Sequence, residues 1–337
     1  IERVKPAVDA IIAKGIEAPT QFEILTAAAF LFFQEQEVDY AVVEVGLGGL
    51  LDSTNVATPV VSVITNVSID HQAYCGNTIE EIAHHKAGII KEGIPVVTAA
   101  QGGALNVIED EATAKHAPLY VFNKRFGIGS RSSMKTGQMV TVSTEDGQPA
   151  MLFTSLVGIH QAVNISCALM TVRLLMDQDS SISEETMREG FARATWPGRF
   201  EIKKHNDRTY IFDGAHNAAG AEAFGMTYKE LFKDEPKTII MAILSDKDEQ
   251  AIIREVVKPQ DTVYTVPAPT PRSENPLALG KTISDMVKTA EVEVSTTVSD
   301  ALTTATETTK SGDTIVVCGS LYILGEARAW LQQQDSH

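Results

Sequence analysis

From residue 209 onward, five short runs of apolar and β-branched residues, 209–212, 238–243, 262–266, 291–295 and 314–318, are separated by segments with helical spacing. Strands that alternate with helices return to one sheet only by crossover, which confines this half of the chain to a parallel α/β sheet. Just ahead of it, Thr195-Trp196-Pro197-Gly198-Arg199-Phe200 interrupts a helical pattern with a Pro-Gly pair and marks a boundary. Two α/β domains are expected, 1–195 and 196–337, and 337 residues suffice for each to bury its own core.

In open α/β sheets, ligands gather outside the carboxyl ends of the strands, so residues that follow apolar runs are the ones to inspect. In the first domain, the Val-rich run 40–45 reads as a buried strand and ends in Glu44, while the run 59–67 leads into Asp70 and His71. Residues 78–81 spell a Thr-x-x-Glu capping box, opening a helix that carries His84, His85 and Lys86 before Gly88. Glu44 and His71 are expected to share one crevice. Lys86 could meet a phosphate there, pair with Glu44 or be chemically modified. Each residue also has a plain explanation: a glutamate on a solvated rim, a histidine hydrogen-bonded at the surface.

In the second domain, Ile211-Phe212-Asp213-Gly214-Ala215-His216-Asn217 runs from a buried strand straight into a polar turn and a helix. An Asp beside Gly, with His three further on, lets the backbone approach a ribose hydroxyl or a phosphate. The competing reading makes Asp213 a cap for the helix at Ala218.

Around these elements the spacing predicts helices over 1–16, 20–36, 104–115 and 162–176, the last preceded by His160 and Gln161, and a strand at 95–98. Residues 125–153 read as hairpin strands on a domain edge. Several motif readings fail. Gly46-Leu47-Gly48-Gly49 is no dinucleotide fingerprint because Leu51 stands where a third small residue belongs, and no GxSxG occurs. A zinc site from His71, Cys75, His84 and His85 would need ligands that a helical pair of adjacent histidines points apart.

The balance of 28 basic and 44 acidic residues, a net charge of −16, argues against a general nucleic-acid footprint and leaves an anionic substrate in need of a locally basic pocket. The three cysteines, Cys75, Cys167 and Cys318, are far apart, with no CxxC pair, and point to a reducing, cytoplasmic compartment. The apolar run 27–33 is far too short to span a membrane.

The strings VEVGLGGLLDSTN at 43–55, DH at 70–71 and HHKAGIIK at 84–91, in this order and spacing, resemble the folylpolyglutamate synthase and dihydrofolate synthase family of the Mur-ligase superfamily. The resemblance extends from TQFEILTAAAFLFF at 20–33 to GSLYILG at 319–325. It implies a Mur-ligase-like P-loop-type α/β domain, incomplete at its N-terminus, followed by a Rossmann-like α/β domain. It also implies ATP-dependent ligation of L-glutamate, through an acyl-phosphate, to the γ-carboxylate of a folate such as tetrahydrofolate or to the carboxylate of dihydropteroate, by a cytoplasmic monomer.

By the same resemblance, Glu44, His71 and a carbamylated Lys86 hold Mg²⁺, and Asn164 in HQAVN reaches the adenine end of ATP. Arg199 in WPGRFE supports the phosphates, Asp213 and His216 in DGAHN contact the nucleotide, and Phe22 faces the folate. Lys247 in LSDKD, Arg272 and Ser320 lie toward the incoming glutamate. Read as residues alone, Asn164 is equally a first-turn asparagine and Lys247 an ordinary first-turn charge. The family's P-loop, TGTNGKGS or close to it, stands roughly a hundred residues ahead of the Glu44 segment and has no counterpart here. Gly280-Lys281-Thr282 lacks the upstream strand and the glycine five residues earlier. An N-terminally truncated copy of a complete enzyme, inactive without its P-loop, is therefore expected. A non-catalytic nucleotide or folate binder and a related ligase acting on a cell-wall precursor remain open alternatives.

Overall fold

A computed structural model describes residues 1–70, 72–145 and 147–334, so His71, expected as a metal ligand, lies outside the described residues. Two compact units emerge, Ile1–Arg125 with Arg173–Leu175, and Phe126–Val172 with Met176–His337.

The first unit runs α1 (Lys5–Ala13), α2 (Gln21–Glu35), a 3-10 turn (Ser53–Val56), β1 (Ser62–Ile64), α3 (Gln72–Cys75), α4 (Ile79–Ala87), β2 (Val96–Thr98), α5 (Gly102–Ala114) and β3 (Leu119–Val121). Its sheet is parallel, in the order β1-β2-β3, with Ser62 opposite Val96 and Val96 opposite Leu119. Ile64, Ala83, Ala87, Val96, Ala104 and Ile108 form the core between this sheet and the α4–α5 pair. Small alanines on the facing sides of the two helices let them approach closely. The predicted cap is present as a full capping box, Thr78 with Glu81 on α4, and a second box that was not predicted, Thr20 with Glu23, opens α2. Each reciprocal pair satisfies two backbone donors that a bare helix start leaves open.

One expectation fails here. Residues 40–45 form no strand, and Val42 is 96% exposed. β-branched residues record fitness for a pleated ladder, but a strand exists only where a neighbour pairs with it, and β1 bonds to β2 alone. Glu44 therefore sits in exposed chain outside any strand rather than at the end of a buried one. The run 59–67 likewise contributes only the three residues of β1.

The second unit opens with an antiparallel sheet, β4 (Phe126–Met134), β5 (Gly137–Thr144) and β6 (Gly147–Thr154), the hairpins expected at 125–153. α6 (Ile159–Met176) packs on it through Ala162, Ile165 and Leu169 against Val140, Val142 and Leu152. By length and composition α6 could cross a membrane, yet this face is committed to the core. It starts earlier than the periodicity predicted and takes in His160 and Gln161, because Gly158, at φ 101°, turns the chain directly into its first residue.

After α7 (Glu184–Arg193), the chain continues β7 (Glu201–His205), β8 (Arg208–Phe212), α8 (Ala218–Phe232), β9 (Thr238–Met241), α9 (Glu249–Val256), β10 (Thr262–Thr265), α10 (Pro276–Met286), β11 (Glu291–Val294), α11 (Val298–Thr308), β12 (Thr314–Cys318) and α12 (Leu321–Gln334). The six-stranded order is β11-β10-β9-β12-β8-β7. All neighbours are parallel except β7, which returns as a hairpin on β8, so the sheet is not wholly parallel as expected. One face buries Phe224, Tyr228, Ile252, Ile253 and Ile283 from α8, α9 and α10; the other buries Ala301, Leu302, Ile323 and Ala327 from α11 and α12. All five residues of β12 are buried, each large one contributing about 1.5–3 kcal/mol. Gly280, Lys281 and Thr282 lie inside α10, which rules out a phosphate loop at that string.

Candidate functional site

The first unit contains a cleft of about 300 Å³ lined by Thr20, Phe22, Glu23, Leu47, Asp52, Tyr74 and His85, among others. Its walls are built by a tightly tied loop, 46–55. Asp52 accepts hydrogen bonds from the N–H groups of Leu47 and Thr54, both at 2.9 Å, and from the Thr54 hydroxyl. Burial pushes the Asp52 carboxyl up, but the bonds from Thr54 and Leu47 outweigh it and hold the group below its ordinary value. The Thr20 backbone and hydroxyl lower Glu23 in the same sense. Two ionised carboxylates thus face one cleft.

That loop and α4 are fastened together. Leu50 N–H donates to the His85 carbonyl at 2.7 Å, and the Asn55 amide donates to the carbonyls of Leu50 and Gly88, each at 3.1 Å. Lys91 Nζ closes the tie on the Asn55 Oδ1 at 2.7 Å. A Cβ on Gly88 would lie 2.5 Å from the Leu50 backbone, which explains why glycine follows the HHKA turn. The strings GLLDSTN and HHKAGIIK are therefore two sides of one packed joint. Lys86 lies half-buried in the last turn of α4, and neither its ammonium nor the Glu44 carboxylate has a hydrogen-bond or ion-pair partner among the described residues.

In the second unit, the loops after β8, β9, β10 and β12 emerge on the same sheet edge, because those strands are parallel. After β8, Asp213 accepts from Phe200 N–H at 2.7 Å with one oxygen and from Ala215 N–H at 2.8 Å with the other. Gly214 N–H donates to the Gly198 carbonyl at 2.8 Å, so the WPGRF turn is docked on the DGAH turn. The cap expected of Asp213 falls instead to Asn217, whose side chain accepts from Gly220 N–H, leaving Asp213 to organise the two turns.

Arg199 lies over Gly214, where an added Cβ would come within 2.9 Å of its guanidinium. That guanidinium has no hydrogen-bond or ion-pair partner among the described residues. Burial pushes Asp213 up to about 6, against the opposing pull of the two N–H groups and of Arg199. The His216 Nδ1 lies 2.8 Å from the Gly214 carbonyl, which fixes the ring beside the same turn.

After β9 and β10, Arg272 pairs with both oxygens of Asp246 at 3.1 and 3.2 Å, next to half-buried Lys247. After β12, buried Ser320 accepts from Tyr322 N–H in the first turn of α12. Arg199, Asp213, His216, Lys247, Arg272 and Ser320 are thus brought to one rim. Asn164 is exposed on α6 and donates to Gln161 Oε1 at 3.2 Å. In the first unit, Phe22 and the loop that follows Glu44 meet at Gly46, where the Phe22 ring leaves no room for a Cβ. Sequence reasoning did not single out Asp52 or Tyr74. Asp52 could have been found, since an Asp-Ser-Thr string behind a glycine turn signals a side chain that closes its own loop.

Two α/β units, with the polar residues of the second gathered on the carboxyl rim of its mostly parallel six-stranded sheet, are the architecture of a Mur ligase. The Mur ligase middle domain matches residues 9–172, and the dihydrofolate synthetase C-terminal domain matches 199–330. The dihydrofolate synthase/folylpolyglutamate synthase of Bacillus subtilis (strain 168) is 35% identical over 335 residues, covering 98% of this chain and 77% of that protein. The chain belongs to the dihydrofolate synthase/folylpolyglutamate synthase family. Among solved structures, Mycobacterium tuberculosis folylpolyglutamate synthase complexed with ADP and AMPPCP superposes with a TM-score of 0.88 at 30% identity, covering 97% of this chain and 77% of that one. An FPGS–AMPPCP–folate complex does so with a TM-score of 0.81 at 32% identity, covering 98% and 75%.

Proposed function

We propose that this chain carries the machinery that joins L-glutamate, at the expense of ATP, to the γ-carboxylate of a folate such as tetrahydrofolate or to the benzoate carboxylate of dihydropteroate. The carrying observation is the rim of the second unit, where an uncommitted guanidinium, a partly buried carboxylate and the Arg272–Asp246 pair beside Lys247 share one sheet edge. In this reading the folate carboxylate takes the γ-phosphoryl group and releases ADP. The glutamate amine then attacks the acyl carbon and expels inorganic phosphate. Both steps need charge neutralisation and positioning more than covalent help from the protein.

Arg199 would neutralise phosphate oxygens, Asp213 accept from a ribose hydroxyl, and His216 and Asn164 bracket the nucleoside. Lys247, Arg272 and Ser320 would receive the amino acid's carboxylates, Arg272 exchanging Asp246 for substrate. The cleft of the first unit suits a pteridine. Phe22 and Tyr74 offer flat apolar surface, and the ionised Glu23 and Asp52 can accept from ring N–H groups. Relatives solved with AMPPCP and with folate support a nucleotide and a folate as the ligands.

Glu44 and Lys86 fit a hard-metal site in one respect, since neither head group is committed elsewhere among the described residues. With His71 they would hold Mg²⁺, provided Lys86 is carbamylated and so turned from cation into two-oxygen donor. The metal would supply charge neutralisation of the phosphates. Intact mass and peptide mapping should find one added carboxylate on Lys86; an unmodified lysine in metal-loaded, active enzyme would remove it from the metal site. We place the working domain boundary at 195/196, at the Pro197-Gly198 turn, and the protein in the cytoplasm as a monomer.

The complete gene product should release phosphate from MgATP only when glutamate and a folate are both present, and should extend the folate by one glutamate. Turnover with a cell-wall precursor instead, or nucleotide binding without turnover, would transfer the chain to another branch or to a binding role.

A further inference from the structure

The described residues contain one buried side-chain polar atom without a hydrogen-bond partner, the Nδ1 of His160. A buried imidazole nitrogen left unpaired is costly, and a native fold that retains one needs a reason. His160 stands in the first turn of α6, beside Gly158, where an added Cβ would fall 2.8 Å from His160 Nδ1 and 2.5 Å from Thr227 Oγ1. Thr227 cannot serve as its donor, because that hydroxyl already donates to the Ala223 carbonyl at 2.7 Å.

Two guanidinium groups act on the ring. Arg131 is engaged elsewhere, its Nε donating to Gln138 at 2.6 Å and its Nη2 to Ser133 at 2.6 Å and to Glu230 at 2.6 Å. Arg199 is not, since its guanidinium has no partner among the described residues. Burial first, and then the charges of Arg131 and Arg199, hold the imidazole below its ordinary pKa and so keep it neutral. A neutral imidazole is a donor that adds no charge of its own to a positive neighbourhood. Together with an uncommitted arginine and the amino end of an 18-residue helix, it describes a place made for an anion.

We propose that His160 is a positioning residue for the nucleotide's phosphates: its unpaired Nδ1 is completed only in the bound state, as an N–H donor to the polyphosphate that Arg199 neutralises. This rests on the reading of Arg199 given above, and it adds a group from a different element of the second unit to that anion site.

The test compares His160→Asn, which keeps an N–H near the place of Nδ1, with His160→Phe, which keeps the ring and removes the donor. Calorimetric titration of the complete gene product with ADP should show affinity reduced about tenfold in His160→Phe and within about threefold of wild type in His160→Asn, while adenosine binding stays unchanged in both. In the wild type, the ¹⁵N resonance of His160 Nδ1 should shift on adding ADP and not on adding adenosine, a readout that needs no variant to fold. Equal ADP affinity in His160→Phe and wild type, equal weakening of ADP and adenosine, or an Nδ1 resonance indifferent to ADP would overturn the proposal. Arg199→Ala separates the two readings. If it leaves ADP affinity unchanged, the phosphate role of Arg199 falls; if it weakens ADP and His160→Phe does not, only the role of His160 falls.

Discussion

Replacing Lys237 by Met is expected to lower the unfolding free energy by about 3–5 kcal/mol, a penalty set by the charge left behind rather than the one removed. Lys237 Nζ and Asp261 Oδ2 lie 2.6 Å apart with side-chain exposures of 2% and 1%, on the amino edge of the six-stranded sheet, opposite the functional rim. The ammonium also rests 4.7 Å from the centroid of the Tyr228 ring. Asp261 does more than pair. Its Oδ1 accepts from Lys237 N–H at 3.0 Å and its Oδ2 from Lys258 N–H at 2.8 Å, so one carboxylate fastens the segments entering β9 and β10.

Asp261→Leu should therefore cost more than Lys237→Met, since it strands an ammonium and two backbone donors together. Buried ion pairs can often be exchanged for apolar pairs at little loss. This one should resist it, because Lys237→Met with Asp261→Leu still leaves two amides unsatisfied, at about 1–3 kcal/mol each. Urea unfolding of the four proteins checks the order: wild type, Lys237→Met, then the variants lacking Asp261. A double variant as stable as wild type would show that the amides carry nothing.

The alternation of strands and helices in the second domain was legible because fully buried parallel strands read as unbroken apolar runs. β9 and β12 are buried at every residue. The same reading misfired at 40–45, an equally Val-rich run without a ladder neighbour. Composition reports what a segment can become, and pairing decides it. β7 went unrecognised as an antiparallel edge because Glu201, Lys203 and Lys204 give it no apolar run. On the rim, Asp213 and His216 were legible as residues that follow a buried strand, and Arg199 only through the family resemblance of its WPGRFE string. The choice between Asp213 and Asn217 as the helix cap was not, since both can accept from a backbone amide and only the packed turn shows which does. His160 was invisible for a different reason: an unpaired nitrogen is a property of a packed environment and leaves no trace in spacing.

Asp213→Asn should cut kcat/KM for ATP by about two orders of magnitude, in the range observed when one preorganised polar group is removed from an active site. Asp213 gives one oxygen to Phe200 N–H and one to Ala215 N–H. An amide offers only one acceptor, so its NH₂ must confront the other N–H, and the joint that presents Arg199 and His216 loosens.

The pH dependence has a definite sign. The Asp213 carboxyl is raised from 3.8 to about 6 by burial, so the folded state holds a proton that the unfolded chain has already lost between those values. Its stabilising contribution is complete below the unfolded value, declines as pH rises through about 6, and is gone above it, where the anion is retained at a cost on the order of 3 kcal/mol. Relative to Asp213→Asn, the wild type should thus lose stability across that window. Activity should move the opposite way, because the anion is the better acceptor for a ribose hydroxyl: wild-type kcat/KM should rise through an apparent pKa near 6, and the step should vanish in Asp213→Asn. Arg199 is the cation holding that pKa down. Arg199→Ala should therefore displace the stability transition to higher pH, and a transition that stays in place would mean that the two groups do not act on one another.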